Sequence, residues 1–155
     1  MKILMKGAHV VTLDESGQVF SPGFVGVDGD EITGVGDGGS APAESEFDRV
    51  IDASGKLIMP GMTNAHMHLY STFARGIALK DEPPENFVQI LERLWWRLDK
   101  ALEPEDIYLS AMVPLIDCIK SGTTTIIDHH AGPSFIDGSL DLLADAVSEM
   151  GLRAC

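Results

Sequence analysis

The stretch Leu57-Ile58-Met59-Pro60-Gly61-Met62-Thr63-Asn64-Ala65-His66-Met67-His68 decides how the rest of the chain is read. It is an apolar run broken once, at Pro60-Gly61, and it finishes in two histidines separated by one residue. In a β-strand, residues i and i+2 point to the same face, about 6.6 Å apart along the chain. Both imidazoles can therefore aim at one ion, and neutral imidazole suits zinc, iron or a similar transition metal. A pair of hydrogen-bonded histidines near a strand end is the competing reading, because a bare His-x-His pattern is weak. The context favours a site. A buried apolar strand has no use for two polar rings on one face unless something binds them, and parallel barrels keep their active sites at the C-terminal ends of strands.

Downstream, strands alternate with helices. Glu85 to Leu102 carries Phe87, Ile90, Leu91, Leu94, Trp95, Leu98 and Leu102 at the spacing of one buried helical face. Trp95 falls on that stripe and Trp96 off it. Pro104 opens a second helix at its tolerated first position, followed by Glu105 and Asp106 near the positive dipole end. This helix runs to about Ser121 and stops at Gly122, with a kink expected at Pro114. Thr123 to Asp128 is β-branched and apolar, a buried strand. Leu140, Leu143, Val147 and Met150 mark another helix, ended by Gly151. Leu152 to Cys155 begins a further strand, so the chain reads as cut rather than finished. This order predicts parallel βα units.

Upstream, residues 1 to about 56 read as short strands and turns. Ile3 to Leu13 is rich in β-formers and ends in the turn cluster Asp14-Glu15-Ser16-Gly17. Phe24 to Val27 and Glu31 to Val35 flank Asp28-Gly29, a hairpin signal. Gly36 to Ser45 reads as a loop and Arg49 to Asp52 as a strand. His9 has no evident partner and reads as structural.

The 155 residues carry a formal charge of −13, which repels phosphate backbones and argues against a nucleic-acid partner. No apolar run reaches the length of a membrane span, and Lys6, Gly7 and His9 interrupt what could otherwise be a leader's apolar region. A cytoplasmic protein is expected. Cys118 and Cys155 stand far apart, as free and buried thiols of a reducing compartment.

The run Asp52-Ala53-Ser54-Gly55-Lys56-Leu57 through His68 resembles the entry signature of the amidohydrolase superfamily. Leu69 to Gly76, ending in Arg75-Gly76, and Gly122-Thr123-Thr124-Thr125-Ile126-Ile127-Asp128 are similar to its deaminase and chlorohydrolase branch. Leu94-Trp95-Trp96-Arg97-Leu98-Asp99 and Asp128-His129-His130 resemble the SsnA aminohydrolases, a subgroup linked to selenium metabolism. The resemblance covers essentially the whole chain.

It implies an α/β fold, the N-terminal part of a metal-dependent (β/α)8 barrel preceded by a small β-sandwich segment. Residues 1–56 would belong to the sandwich, without its C-terminal strands, and residues 57–155 to the first βα units of an incomplete barrel. His66 and His68 would be the first-strand ligands of one divalent metal, zinc first and iron(II) as the alternative. A further histidine and an aspartate on later strands would complete the site, with a histidine and a glutamate assisting proton transfer, so no catalytic group is expected within these residues. The activity implied is hydrolysis of a C–N bond other than a peptide bond, through metal-activated water. Deamination of a purine, pterin, triazine or similar small molecule comes first and dechlorination second. A homodimer of the full-length protein is in keeping with the resemblance.

Arg75 could bind a substrate carboxylate or ring carbonyl, or pair with Asp81 or Glu82 in its loop. His129 and His130 follow the second strand, where a barrel mouth would be. They could contact substrate, or one of them could hydrogen-bond Asp128 to fix a loop. On strand alternation Asp128 and His130 share a face and His129 takes the other. Tyr70 and Phe73 could line a pocket or simply pack. The rival expectation is a truncated, non-catalytic remnant or half of a split enzyme, since two histidines leave a metal short of ligands.

Overall fold

The computed structural model describes residues 1–155, which divide into two compact units, Met1–Pro60 and Gly61–Cys155. The break falls at the Pro60-Gly61 interruption.

The first unit is a five-stranded mixed sheet. β1 (Lys2–Val11) lies antiparallel to β2 (Val19–Asp28), which pairs antiparallel with β3 (Glu31–Asp37). β4 (Arg49–Asp52) and β5 (Leu57–Ile58) both run parallel to β1, beside its two halves. Ala8, Val10, Val25 and Ala53 form its buried cluster. The hairpin turn sits at Gly29-Asp30, one residue later than the sequence signal, and Gly29 takes the left-handed conformation (φ +63°) that such turns demand. Between β3 and β4 the expected loop contains two short 3-10 turns, Gly38–Ser40 and Glu44–Glu46. The residues of this unit build one sheet, not two packed layers. His9 does have a partner: its Nδ1 lies 2.7 Å from Ser21 Oγ.

The second unit is a parallel sheet in the order β6 (Met62–Met67), β7 (Thr123–Asp128), β8 (Arg153–Ala154). Between β6 and β7 come a 3-10 helix (Leu69–Ala74), α1 (Phe87–Ile90), a π turn (Leu91–Trp95), α2 (Trp96–Ala101) and α3 (Pro104–Lys120). α4 (Ser139–Glu149) links β7 to β8. α3 starts at Pro104 as expected, and Asp106 accepts a hydrogen bond from the Glu103 N–H at 2.9 Å. Its inward residues Ile107, Ala111, Leu115 and Cys118 meet Ile126 of β7 and Leu143, Ala146 and Val147 of α4 in one core.

Three expectations about burial are corrected. β6 is mostly exposed, because it is a sheet edge paired only with β7. Cys155 is exposed, one residue past the two-residue edge strand β8, while Cys118 is buried. The Glu85–Leu102 stripe is not continuous: Phe87 is 67% exposed and Trp95 only half-buried, because the π turn rotates the residues before it away from those after it. No helix is long and apolar enough to cross a membrane.

Candidate metal centre

The site grows from the Pro60-Gly61 break. A β-carbon on Gly61 would lie 2.1 Å from Thr124 Cγ2, so only glycine lets β6 start this close to β7. Met62 N–H then donates to Gly122 O at 3.0 Å, and the two strands run parallel to their C-terminal ends. Within β6, Asn64 Oδ1 accepts from the His66 N–H at 3.2 Å.

At the end of β6, His66 Nε2 and His68 Nε2 lie 3.2 Å apart, with ring centroids 4.8 Å apart and planes at 83°. Two nitrogens each about 2.05 Å from one tetrahedral ion are separated by about 3.3 Å. The pair therefore fits a shared divalent ion. No third His, Cys, Asp or Glu joins them in a cluster able to hold a metal.

The end of β7 lies against His68. His68 Nδ1 is 3.2 Å from His129 Nδ1 and 3.4 Å from the His129 carbonyl oxygen. His129 N–H donates to Met67 O at 3.1 Å, and Asp128 Oδ1 accepts from Leu69 N–H at 2.9 Å. Asp128, the last residue of β7, and His129 just past it thus hold the backbone on both sides of His68.

Behind these rings is a second polar group that the sequence did not reveal. Asp99 is only 8% exposed and its Oδ1 has no hydrogen-bond partner. Both ring nitrogens of His130 are likewise buried and unpartnered. The Tyr70 ring meets His130 edge-on at 5.7 Å. Burial pushes the Asp99 carboxyl above the usual carboxylate range, against the opposing pull of His129 and His130. Burial also holds His130 below the ordinary histidine value. The Tyr70 hydroxyl is raised by burial and by Asp99 and Asp128. Asp99 sits four residues after Trp95 and three before Leu102, so helical spacing could have found it.

Of the sequence candidates, His66, His68 and His129 come together, His130 packs against Tyr70 instead, and Arg75 is exposed at the end of the 3-10 helix. The loop ion pair anticipated for Arg75 is not formed with Asp81, whose partner is Arg97. Phe73 is exposed, while Tyr70 belongs to the core. A cleft of about 180 Å³ opens among Leu69, Asp128, His130, Leu143 and Val147. A larger one of about 280 Å³, by Ile77, Asp81, Arg93 and Arg97, contains none of the histidines.

The sequence profile of the amidohydrolase family matches residues 57–155, from β5 to the last residue. This chain belongs to the amidohydrolase family. It is 37% identical over 153 residues to the 5-methylthioadenosine/S-adenosylhomocysteine deaminase of Pelotomaculum thermopropionicum, covering 99% of this chain and 33% of that protein. The deaminase of the same name from Moorella thermoacetica is 38% identical over the same length and the same shares. Among solved structures, a mutant of atrazine chlorohydrolase TrzN from Arthrobacter aurescens TC1, complexed with zinc and atraton, superposes with a TM-score of 0.81. It shares 27% identity over 98% of this chain and 34% of its own. The chain therefore spans about one third of the length of the curated relatives it matches.

Proposed function

We propose that this member of the amidohydrolase family carries the first-strand half of a divalent-metal site in a hydrolase that replaces an amino group on a nitrogen heterocycle with oxygen from water. The observation that carries this reading is the 3.2 Å approach of His66 Nε2 and His68 Nε2 at the end of a parallel strand. When bound there, zinc, or iron(II) in its place, supplies Lewis acidity that brings the pKa of water near neutrality.

The residues of this chain hold, shape and recognise. His66 and His68 offer two neutral nitrogens to the ion. Arg75, His129 and His130 are the substrate-facing side chains, and Asp99 and His130 present buried polar atoms that call for a partner from outside the chain. The remaining ligands and the proton-transfer groups belong to later strands of a (β/α)8 barrel. The two relatives are named as deaminases of adenine-containing thioethers, so adenine nucleosides are the substrate class to screen first, then pterins and triazines. The finer kinship with the SsnA subgroup rests on Leu94–Asp99 and Asp128–His130.

The test is metal analysis of the longest natural form, with an ammonia-release screen over these heterocycles. His66→Ala and His68→Ala should each strip the metal and the activity. Full metal content in the double variant would overturn the reading. A second reading is favoured by the missing third ligand: these residues alone form a non-catalytic piece or half of a split enzyme. On that reading the 155-residue chain binds zinc weakly and releases no ammonia, and stoichiometric, chelator-resistant zinc would count against it.

A further inference from the structure

We propose that His129 is a positioning residue for the metal centre: its ring accepts the Nδ1 proton of His68 and so holds His68 with the Nε2 lone pair turned toward the ion. The inference rests on the reading of His66 and His68 as ligands and adds the group that sets the tautomer of one of them.

The argument is one of proton counting. A neutral imidazole carries one N–H and one lone pair. Nε2 of His68 faces Nε2 of His66, so a ligating His68 must carry its proton on Nδ1. That proton needs an acceptor. The nearest is His129 Nδ1 at 3.2 Å, closer than the His129 carbonyl at 3.4 Å. If the proton lay on His129 Nδ1 instead, His68 would carry its own on Nε2 and could not ligate through it. The Nδ1···Nδ1 contact thus holds one of the two rings' two protons, and which ring donates it decides whether His68 Nε2 is free to ligate.

The acceptor is also fixed in place. The His129 N–H bond to Met67 O and the Leu69 N–H bond to Asp128 Oδ1 hold the acceptor beside the residue it serves. Partners of this kind behind a ligating histidine typically change metal affinity about 10- to 100-fold. The Nε2 edge of His129 stays available to the substrate role proposed above.

The test uses the purified chain with zinc alone as the probe, in competition with a chromophoric chelator. His129→Leu should weaken zinc about 10- to 100-fold while leaving the urea midpoint near that of the parent. His129→Gln retains an acceptor oxygen and should recover most of the loss. In the parent loaded with zinc, imidazole ¹⁵N spectra should show His68 protonated at Nδ1. His129→Leu within about threefold of the parent, or a His68 spectrum without the Nδ1 proton, overturns the inference. If His129→Leu does not fold, the His129 signals of the zinc-loaded parent decide: an unprotonated Nδ1 supports the inference and a protonated Nδ1 overturns it. His66→Ala and His68→Ala separate the two levels. Zinc binding unchanged in these variants sinks the metal reading and this inference together, whereas binding lost in them but unchanged in His129→Leu sinks only the inference.

Discussion

Replacing Gly61 with alanine tests whether the Pro60-Gly61 break places β6, the strand proposed to carry the metal ligands. The new β-carbon would fall 2.1 Å from Thr124 Cγ2, 2.4 Å from Oγ1 and 2.8 Å from Cβ. Rotation of Thr124 can move the first two atoms but not its Cβ, so the start of β6 or the start of β7 must shift. Thr124 is not free to swing either, since its Oγ1 accepts from Arg153 Nη2 at 3.1 Å. The shift strains the Met62 N–H bond to Gly122 O. Overpacking costs about 1–3 kcal/mol and a weakened hydrogen bond about 1 more. A total near 2–4 kcal/mol corresponds to a fall in Tm of roughly 10–30 °C for a unit of this size. Trp95 and Trp96 are the chain's two tryptophans and both lie in Gly61–Cys155. Their fluorescence in urea therefore reports this unit. Thr124→Ala removes Cγ2 and Oγ1, so the double variant should recover about 1 kcal/mol relative to additivity. A Gly61→Ala variant within about 0.5 kcal/mol of the parent, with additive behaviour in the cycle, would refute the reasoning.

The buried polar pair gives two further expectations with opposite dependence on pH. Burial keeps folded His130 neutral below the pH at which an unfolded histidine takes up its proton. Stability should therefore fall as pH drops below about 6.5, and His130→Phe should flatten that fall in urea midpoints at pH 7.5 and 5.5. An equal fall in parent and variant would remove His130 as its source. Asp99 behaves in the reverse sense: burial raises its folded pKa, so its cost appears as pH rises through that value. Asp99→Leu should gain about 1–3 kcal/mol at pH 8 and little at pH 4. Destabilisation at pH 8 would mean that the carboxylate is satisfied in solution.

The parts of the molecule visible in the sequence are those set by local periodicity. The i, i+2 geometry of His66 and His68 needs only a strand, and β7, α3 and α4 follow from apolar spacing and from Pro104, Gly122 and Gly151. What escaped depends on departures from regular periods or on long-range neighbours. The π turn at Leu91–Trp95 turns Phe87 outward, which a 3.6-residue period does not anticipate. Asp99 lies on the inward stripe after that turn, but a carboxylate is ordinarily solvated, so its residue type points to the surface rather than to the core. Past the strand end at Asp128, alternation no longer governs, and His129 meets His68 through a pairing of β6 with β7 that no local pattern announces. The exposure of β6 follows from its place at the sheet edge rather than from its composition.

The contact between His68 and His129 spans sixty-one positions of sequence, and this separation orders events in time. Two histidines a residue apart can chelate an ion in an unfolded chain, through either nitrogen of each ring. The His129 acceptor arrives only after a loop of that length has closed, at an entropic cost of roughly 4 kcal/mol. On the proposed metal reading, an ion captured early would therefore be held loosely until β7 docks. Refolding with zinc present should then show two kinetic stages in stopped-flow fluorescence, a fast capture and a slower tightening paced by the assembly of the parallel sheet.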